Sequence, residues 1–287
     1  MNVRSERLVA RVDGSIPETA VDRRLAREVV ATLVIGGYMA LGFAFGLSAN
    51  AYLLLGIPIT IAFQALVARR PLRALWLRDA PAMSFTPRSV IAVIVVAIAP
   101  AIIAIGGVRD GDPVLAIYGL AGMTGAIGAV YAIRAMNRDA ARSTVRASLI
   151  NGALLVAVMV VFRLASGGFD GNLGGAVATA VISVATYLPV VFVMEEVFFR
   201  GLIDTYLHGT TPGRDRASAL YGSALWGLWH LPVAFLALGI LTIPYLVVVH
   251  TTIGYFLVTS WRRTGNLAAP GIAHAVIDGL RNGVAVL

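Results

Sequence analysis

Long apolar stretches alternate with short polar segments along most of the chain. Each stretch is long enough for an α-helix to cross a hydrocarbon core of about 30 Å. The pattern therefore predicts an all-α, polytopic transmembrane bundle of eight or nine spans. The nine stretches are Val29 to Leu47, Ala49 to Ala68, Ser89 to Gly107, Pro113 to Ile133, Ala147 to Leu164, Leu173 to Phe199, Ala217 to Leu238, Pro244 to Ser260 and Leu267 to Leu287.

Two segments depart from a simple series of spans. The stretch from Ala217 to Ser260 is too long for one crossing, so we expect it to fold back near Gly239 and Pro244. The segment from Leu72 to Pro87 contains Trp76 and Phe85 and is typical of a chain lying in the membrane interface.

Composition supports a membrane protein. Hydrophobic residues make up 58% of the chain and charged residues 13%, about half the charged share of a typical soluble domain. The absence of cysteine excludes disulfides, thiolate nucleophiles and cysteine zinc sites. We predict a cytoplasmic arm at residues 1–28 without a signal-peptide pattern, N-terminal transmembrane helices at 29–165 and a catalytic helical core at 173–287.

All 23 Lys and Arg residues are arginine, and their placement predicts the orientation. Cytoplasmic loops carry an excess of basic residues, and here the excess falls in the N-terminal arm and in the even-numbered loops. These arginines are Arg4, Arg7, Arg11, Arg23, Arg24 and Arg27 in the arm, Arg69, Arg70, Arg73, Arg78 and Arg88 in the second loop, Arg134, Arg138, Arg142 and Arg146 in the fourth, Arg214 and Arg216 in the sixth, and Arg262 and Arg263 in the eighth.

The exceptions are few: Arg109, Arg163 and Arg281. The N-terminus is therefore predicted to be cytoplasmic. Because the net charge of +8 lies beside the spans, it favours contact with the lipid bilayer and argues against nucleic acid as a partner. Arginine without lysine, with abundant Ala, Gly and Val, favours a bacterial origin and hence the bacterial plasma membrane.

Ionisable side chains inside the later spans are the candidates for chemistry. Such residues cost about 2.5 to 3.5 kcal/mol each on insertion scales, so those that persist usually pair or function. The sixth stretch ends with Glu195, Glu196 and Arg200; the seventh contains Trp226 and His230; the ninth contains His274 and Asp278.

Helical spacing predicts how these groups are arranged. Glu196 and Arg200 are four residues apart and can form an ion pair, while Glu195 points about 100° away from Glu196. His274 and Asp278 share a face, and all these groups could line one cavity opening to the cytoplasm. Carboxylate and imidazole together can activate a water for peptide hydrolysis, either directly or as ligands of a divalent metal.

Structural explanations stand beside this one. The Glu196 and Arg200 pair can simply neutralise itself at a helix end, and His230 or the His274 and Asp278 pair can be interhelical hydrogen bonds. His250 is expected to pack or to line a pore. The chain has neither an HExxH zinc motif nor a Gly-x-Ser-x-Gly elbow.

The motifs resemble those of the CPBP intramembrane proteases, which include the type II CAAX prenyl endopeptidases and proteins linked to bacteriocin maturation and self-immunity. EExxxR matches Glu195, Glu196 and Arg200, an aromatic residue four positions before His matches Trp226 and His230, and HxxxN matches His274 with Asp278 in place of Asn. The lead-in from Thr264 to His274 is also similar.

The resemblance implies a role for each residue. Glu195 would activate water with help from His230, Glu196 and Arg200 would order the helix end, and His274 with Asp278 would stabilise the oxyanion. A divalent metal such as zinc, held by Glu195, His230, His274 and Asp278, competes with a metal-free mechanism. An ionised Asp cannot donate to an oxyanion, so Asp278 is protonated, ligates a metal or orients His274.

The function expected is an intramembrane endopeptidase that hydrolyses peptide bonds of a peptide or membrane-protein substrate near the cytoplasmic side of the membrane. The alternative is a non-catalytic membrane scaffold or bacteriocin self-immunity partner with the same fold. A proton-relaying transporter would often show repeated halves, whereas the polar cluster lies only in the last third of the chain.

Overall fold

The computed structural model describes residues 20–79, 83–165, 167–208 and 216–287, without the side chains of 20–23 and 235–238. Residues 1–19, most of the predicted cytoplasmic arm, lie outside this range. The described residues form eleven α-helices and no strand. The helices are α1 (Ala20–Phe45), α2 (Ala49–Phe63), α3 (Pro87–Arg109), α4 (Pro113–Arg134), α5 (Arg138–Ala165), α6 (Leu173–Val191), α7 (Thr205–His208), α8 (Arg216–Trp229), α9 (Leu231–Leu238), α10 (Thr242–Thr264) and α11 (Ala268–Ala285).

The predicted all-α bundle is confirmed. In the described chain, seven helices are long and apolar enough to cross a membrane: α1 to α6 and α10. The span of α2 includes its π-helical end Gln64–Ala68, and the span of α10 includes the preceding 3-10 turn Gly239–Leu241. The seventh and ninth predicted spans are also helical but do not meet that standard. Helix α8 has 14 residues, and α11 carries His274, Asp278 and Arg281 within its 18 residues.

Two predicted spans are interrupted where prolines fall. The sixth was expected to be continuous to Phe199, yet the α-helix ends at Val191, two residues after Pro189. After a short turn, the chain continues as a π-helix over Val197–Asp204. The seventh is broken at His230, which lies between α8 and α9, just before Pro232. Proline cannot donate a backbone hydrogen bond and clashes with the turn before it, which explains the break just before Pro232. Pro189 lies inside α6, and the break there follows it.

Small residues let the helices of the core approach closely. Helices α6 and α11 run antiparallel, and a Cβ at Gly279 would lie 2.5 Å from the side chain of Val184 and 2.8 Å from the Ala180 carbonyl oxygen. A Cβ at Gly227 of α8 would lie 2.4 Å from the Leu246 carbonyl oxygen of α10. Because lipid removes most of the hydrophobic drive between helices, such close backbone packing stabilises membrane bundles.

The arginine-rich loops meet on one side of the bundle. The backbone N–H of Arg78 donates to the Gly265 carbonyl, Arg134 Nη1 donates to Thr86 Oγ1 at 3.2 Å, and Arg263 lies 3.9 Å from Asp139. At the opposite end of the helices, the Gly171 N–H donates to the carbonyl of Leu287. We call these the arginine-rich side and the opposite side; the positive-inside rule predicts that the first faces the cytoplasm.

The segment from Leu72 to Pro87, which was expected to lie in the membrane interface, packs against the arginine-rich side of the bundle. It forms a 3-10 turn at Leu72–Leu75, Leu75 is buried, and Trp76 Nε1 donates to the Phe192 carbonyl at 2.7 Å. Leu77 makes an isolated antiparallel bridge with Asn266, just before α11. The turn thereby braces the distorted segment that follows α6.

Candidate active site

Glu195 lies in the distorted segment after α6, and its carboxylate faces α8. Trp226 Nε1 donates to Glu195 Oε2 at 3.2 Å, and His230 Nε2 is 3.6 Å from the same oxygen. The Nδ1 atom of His230 lies 2.8 Å from the Trp226 carbonyl oxygen. A carbonyl only accepts hydrogen bonds, so Nδ1 of His230 is the donor, and its Nε2 is directed to Glu195.

The neighbouring Glu196 points elsewhere, as helical spacing predicts. Its Oε1 atom is 3.0 Å from Arg200 Nη1 and 2.7 Å from His274 Nδ1, and both Glu196 and Arg200 are buried. The predicted ion pair is therefore present, with His274 added to it. The Arg200 guanidinium also lies 4.2 Å from the centre of the Trp226 ring, a cation–π contact that compensates for its loss of water.

His274 joins the two glutamates to α11. Its Nε2 atom is 4.0 Å from Glu195 Oε2 and 3.5 Å from Asp278 Oδ2. Asp278 in turn pairs with Arg281, whose Nη1 lies 2.9 Å from Oδ1. Asp278 thus lies between two positively charged or chargeable partners, His274 at one oxygen and Arg281 at the other.

One cavity of about 290 Å³ contains this cluster. It is lined by Glu195, His230, His274, Asp278 and Arg281, together with His250 and apolar side chains of α2, α5, α9, α10 and α11. His250 was expected to pack or line a pore; its ring centre is 4.4 Å from that of His230. All six predicted site residues thus lie together, with Glu196 and Arg200 directly behind the cavity wall.

The mouth of the cavity is where the sequence did not place it. We expected an opening to the cytoplasm, but the exposed lining residues, Ala49 and Val233, lie at the start of α2 and within α9, toward the opposite side. Glu195, His274 and Asp278 are buried at the inner end. The sequence placed Glu195 near the arginine-rich end of its helix. It gave no information on where neighbouring helices move apart and open a cavity.

Four large side chains in the segments next to the cluster are fully or almost fully buried. We call Phe198, Phe199, Trp261 and Leu267 the floor; each is less than 5% exposed. Phe198 and Phe199 follow Glu195 directly along the chain, while Trp261 and Leu267 flank the connection between α10 and α11. Phe198 packs on Tyr38 of α1 and Phe199 on Trp229 of α8, whereas Trp261 contacts Arg78 of the second loop.

Geometry does not provide a ready metal centre. Among the described residues, no group of three or more His, Asp or Glu side chains is arranged to hold a metal ion. The predicted ligand set of Glu195, His230, His274 and Asp278 consequently stays a prediction, and the chemistry below is derived without a metal.

Comparison with protein families places the cluster in a known context. Residues 176–280 match the family model described as type II CAAX prenyl endopeptidase Rce1-like. We call this segment, which is similar to that family, the Rce1-like domain. It lies within the predicted core at 173–287 and confirms the resemblance to the CPBP proteases, although it does not bear on bacteriocins. No curated protein and no solved structure is similar enough to this chain to count as a match.

The Rce1-like domain contains all six predicted site residues, but the cavity extends beyond it. Arg281 lies one position past the matched segment, and Tyr52 and Leu155 line the cavity from α2 and α5. Sequence reasoning noted Arg281 only as an exception to the charge pattern. Its spacing of three from Asp278 places both on one helix face, and that signal could have identified it.

Proposed function

We propose that the protein is an intramembrane endopeptidase in which Glu195 activates a water for attack on a peptide bond. The observation that carries this proposal is the convergence of Glu195, His230 and His274 on one cavity, within a domain of an endopeptidase family. A scaffold would need these groups only to hold helices together, and its carboxylate would not have to face a cavity.

The attacking water belongs between Glu195 and His230. Their 3.6 Å separation is longer than a good hydrogen bond, and a water can bridge such a gap. When His230 is neutral, its Nε2 and the Glu195 carboxylate are both acceptors, so a water donating to both satisfies them. Glu195 then takes a proton as general base while the water oxygen forms a bond to the scissile carbonyl carbon.

His274 is the group placed to stabilise the oxyanion. The cluster contains three carboxylates, Glu195, Glu196 and Asp278, and two guanidiniums, Arg200 and Arg281, so one protonated imidazole neutralises it. His274 has all three carboxylates within 4.0 Å. In that state its Nε2–H can donate to the negative oxygen that develops on the carbonyl.

Asp278 and Glu196 act through His274 in this scheme. Glu196 accepts from its Nδ1–H and fixes the ring, and Asp278 balances its charge and orients Nε2. Of the three roles considered for Asp278, orientation of His274 agrees best with its pairing to Arg281. Protonated Glu195 finally returns its proton to the departing amine, which completes the hydrolysis.

The test is cleavage by purified protein in detergent or proteoliposomes. The probes are an internally quenched, farnesylated CAAX peptide and a set of internally quenched peptides with one transmembrane anchor. We expect Glu195→Gln to abolish hydrolysis, by a factor of at least about 100 on the scale of general-base catalysis, while thermal unfolding is unchanged.

A matched control is Asp139→Asn, which removes an exposed carboxylate on the arginine-rich side and should retain full activity. Retained cleavage in Glu195→Gln would contradict the assignment of Glu195 as the base. If the unaltered chain cleaves none of the probes and Glu195→Gln lowers its stability, the scaffold is the better description.

A further inference from the structure

A second pocket lies on the arginine-rich side, and no residue lines both it and the cavity at Glu195. Its volume is about 200 Å³, and it is enclosed by α1, the π-helical end of α2, the second loop, the π-helix Val197–Asp204 and α7. We call it the basic pocket. Its lining includes Arg27, Gln64, Val67, Arg70, Thr205 and Tyr206.

Two arginines from different elements give the basic pocket its charge. Arg27 reaches it from α1, where its guanidinium lies 6.0 Å from the centre of the Tyr206 ring. Arg70 reaches it from the second loop. No acidic residue is among those that line the pocket, and neither guanidinium has a carboxylate partner within the described part of the chain. The pocket therefore has an excess of positive charge.

The acidic residues nearest to the lining in the chain do not offset this charge. Glu28 follows Arg27 directly, but its carboxylate lies 2.8 Å from the guanidinium of Arg24. Asp204 precedes Thr205, but its carboxylate lies 2.6 Å from Arg262. Both carboxylates already have a cation of their own, so an anion from outside the chain is needed to balance the pocket.

The loop that carries Arg70 is held through its backbone. Gln64 is 2% exposed, and its Nε2 donates to the carbonyls of Arg70 and Pro71 at 3.0 and 3.3 Å. Arg69 ends the π-helical part of α2 in the left-handed region, with a φ of 51°. The fold thus sets the position of Arg70, while the residue itself stays exposed.

Exposed apolar side chains adjoin the pocket and indicate the kind of anion. Val67 lines the pocket and is 46% exposed, and Leu66 beside it in the chain is 72% exposed. Both belong to a helix that is long and apolar enough to cross a membrane. Apolar surface followed at once by arginines matches a phospholipid, whose acyl chains end in a phosphate at the membrane surface. A free anion would use only the arginines.

We propose that the basic pocket binds the phosphate headgroup of an anionic phospholipid, with an acyl chain lying along Leu66 and Val67. The fork of N–H groups on an arginine matches the oxygens of a phosphate, and basic pockets between transmembrane helices bind anionic headgroups. The pocket also lies on the side that the positive-inside rule predicts to face the cytoplasmic leaflet, whose surface is negative.

A lipid in this pocket would contact the segment that follows the two glutamates. Gly201 and Leu202 line the pocket from the π-helix, and Thr205 lines it from α7. The Thr205 hydroxyl donates to the Arg200 carbonyl and accepts from Trp261 Nε1, each at 3.1 Å. Binding to the folded chain alone therefore stabilises this segment, whether or not the cavity at Glu195 hydrolyses peptides.

Thermal unfolding of the full-length protein in detergent tests the proposal. The probes are micelles with increasing mole fractions of phosphatidylglycerol, the same micelles with neutral phosphatidylcholine, and inorganic phosphate without lipid. The pocket variant is Arg27→Gln/Arg70→Gln. Its matched control, Arg138→Gln/Arg146→Gln, removes the same charge from α5 at residues that do not line the pocket.

We expect phosphatidylglycerol to raise the unfolding temperature of the unaltered chain and of the control, and phosphatidylcholine and inorganic phosphate to leave it unchanged. The pocket variant should need about 30-fold more phosphatidylglycerol for the same rise, on the scale of two arginines at a membrane surface. An equal rise in the pocket variant and the control would overturn the proposal. An equal rise with phosphatidylcholine would overturn the need for an anionic headgroup, and one with inorganic phosphate would overturn the lipid as the occupant.

Native mass spectrometry gives a second measurement if the double variant does not fold. Phosphatidylglycerol should remain bound to the unaltered chain after release from the micelle, and Arg70→Gln, a change at an exposed residue, should reduce its retention while Arg138→Gln does not. Equal retention in these two variants would contradict the site. Neither measurement involves cleavage, so the lipid site and the proposed function fail separately.

Discussion

Two adjacent glutamates in the same irregular segment have different surroundings. Glu195 faces the cavity, His230 and Trp226, whereas Glu196 is enclosed with Arg200 and His274. Loss of the first carboxylate should affect chemistry, because it faces the cavity and its nearest polar partners are Trp226 and His230. Loss of the second should affect stability, because it leaves the Arg200 guanidinium buried without its partner.

We therefore predict that Glu196→Gln destabilises the protein by about 3 to 5 kcal/mol, the range for breaking a buried ion pair. The measurement is chemical or thermal unfolding in detergent. Asp139→Asn is the control because its pair with Arg142 is exposed, and such pairs contribute about 0 to 1 kcal/mol. Equal stability of the two variants would mean that water or lipid compensates Arg200.

At the same scale, the sequence identified most of the site but not all of it. Glu195, Glu196, Arg200, His230, His274 and Asp278 could be selected because polar residues in apolar spans are rare and carry a cost. Arg281 and His250 were not selected, because one sits near a span end and the other has no motif. Contacts between helices place Arg281 and His250 in the site, and residue spacing along one helix does not encode such contacts.

At the scale of elements, the breaks in α6 and α8 position the site. Pro189 and Pro232 each fall where an apolar stretch predicts uninterrupted helix, and hydropathy alone could not show the break. The π-helix that follows Glu196 has a wider turn, a feature common at functional sites. Element boundaries were hardest to predict here because proline geometry and tertiary packing, rather than hydrophobicity, decide them.

The packing of α4 against this segment gives a prediction for the element. A Cβ at Gly125 would lie 1.9 Å from the Pro189 carbonyl oxygen, so Gly125→Ala must push α4 away from the end of α6. We expect a lower unfolding temperature and weaker hydrolysis, since the shift reaches the residues before Glu195.

Gly36→Ala is the matched control for this variant. Nothing lies within 4 Å of a Cβ at Gly36, and replacing glycine by alanine within a helix favours the helix by about 1 kcal/mol. That variant should be as stable as the parent or slightly more so. An unfolding temperature for Gly125→Ala that equals that of Gly36→Ala would contradict the close packing of α4 and α6.

For the whole molecule, the cavity is a joint product of the Rce1-like domain and the helices before it. Tyr52 of α2 donates its hydroxyl to the Trp229 carbonyl at 2.8 Å, one residue before His230 in the chain. Tyr38 of α1 packs on both Tyr52 and Trp229. The N-terminal helices, which had only a generic membrane pattern, thus position the break between α8 and α9 at which His230 lies.

Tyr52→Phe should for this reason impair hydrolysis although it lies outside the matched segment. Leaving a buried carbonyl unpaired costs about 1 to 3 kcal/mol, and the expected result is a several-fold loss in kcat for the quenched peptides with little change in KM. Tyr118→Phe is the control, as Tyr118 is buried on α4 and does not line the cavity. Equal activity of the two variants would show that His230 is positioned without α2.

The floor has a consequence for the membrane itself. A protease that hydrates a pocket halfway through a bilayer endangers the ion gradients across it, because a chain of water molecules open at both ends conducts protons. Phe198, Phe199, Trp261 and Leu267, which follow Glu195 or precede α11 in the chain, are each less than 5% exposed. We expect side chains buried in this way to keep water from crossing the protein, so that hydrolysis inside the membrane would not dissipate the ion gradients.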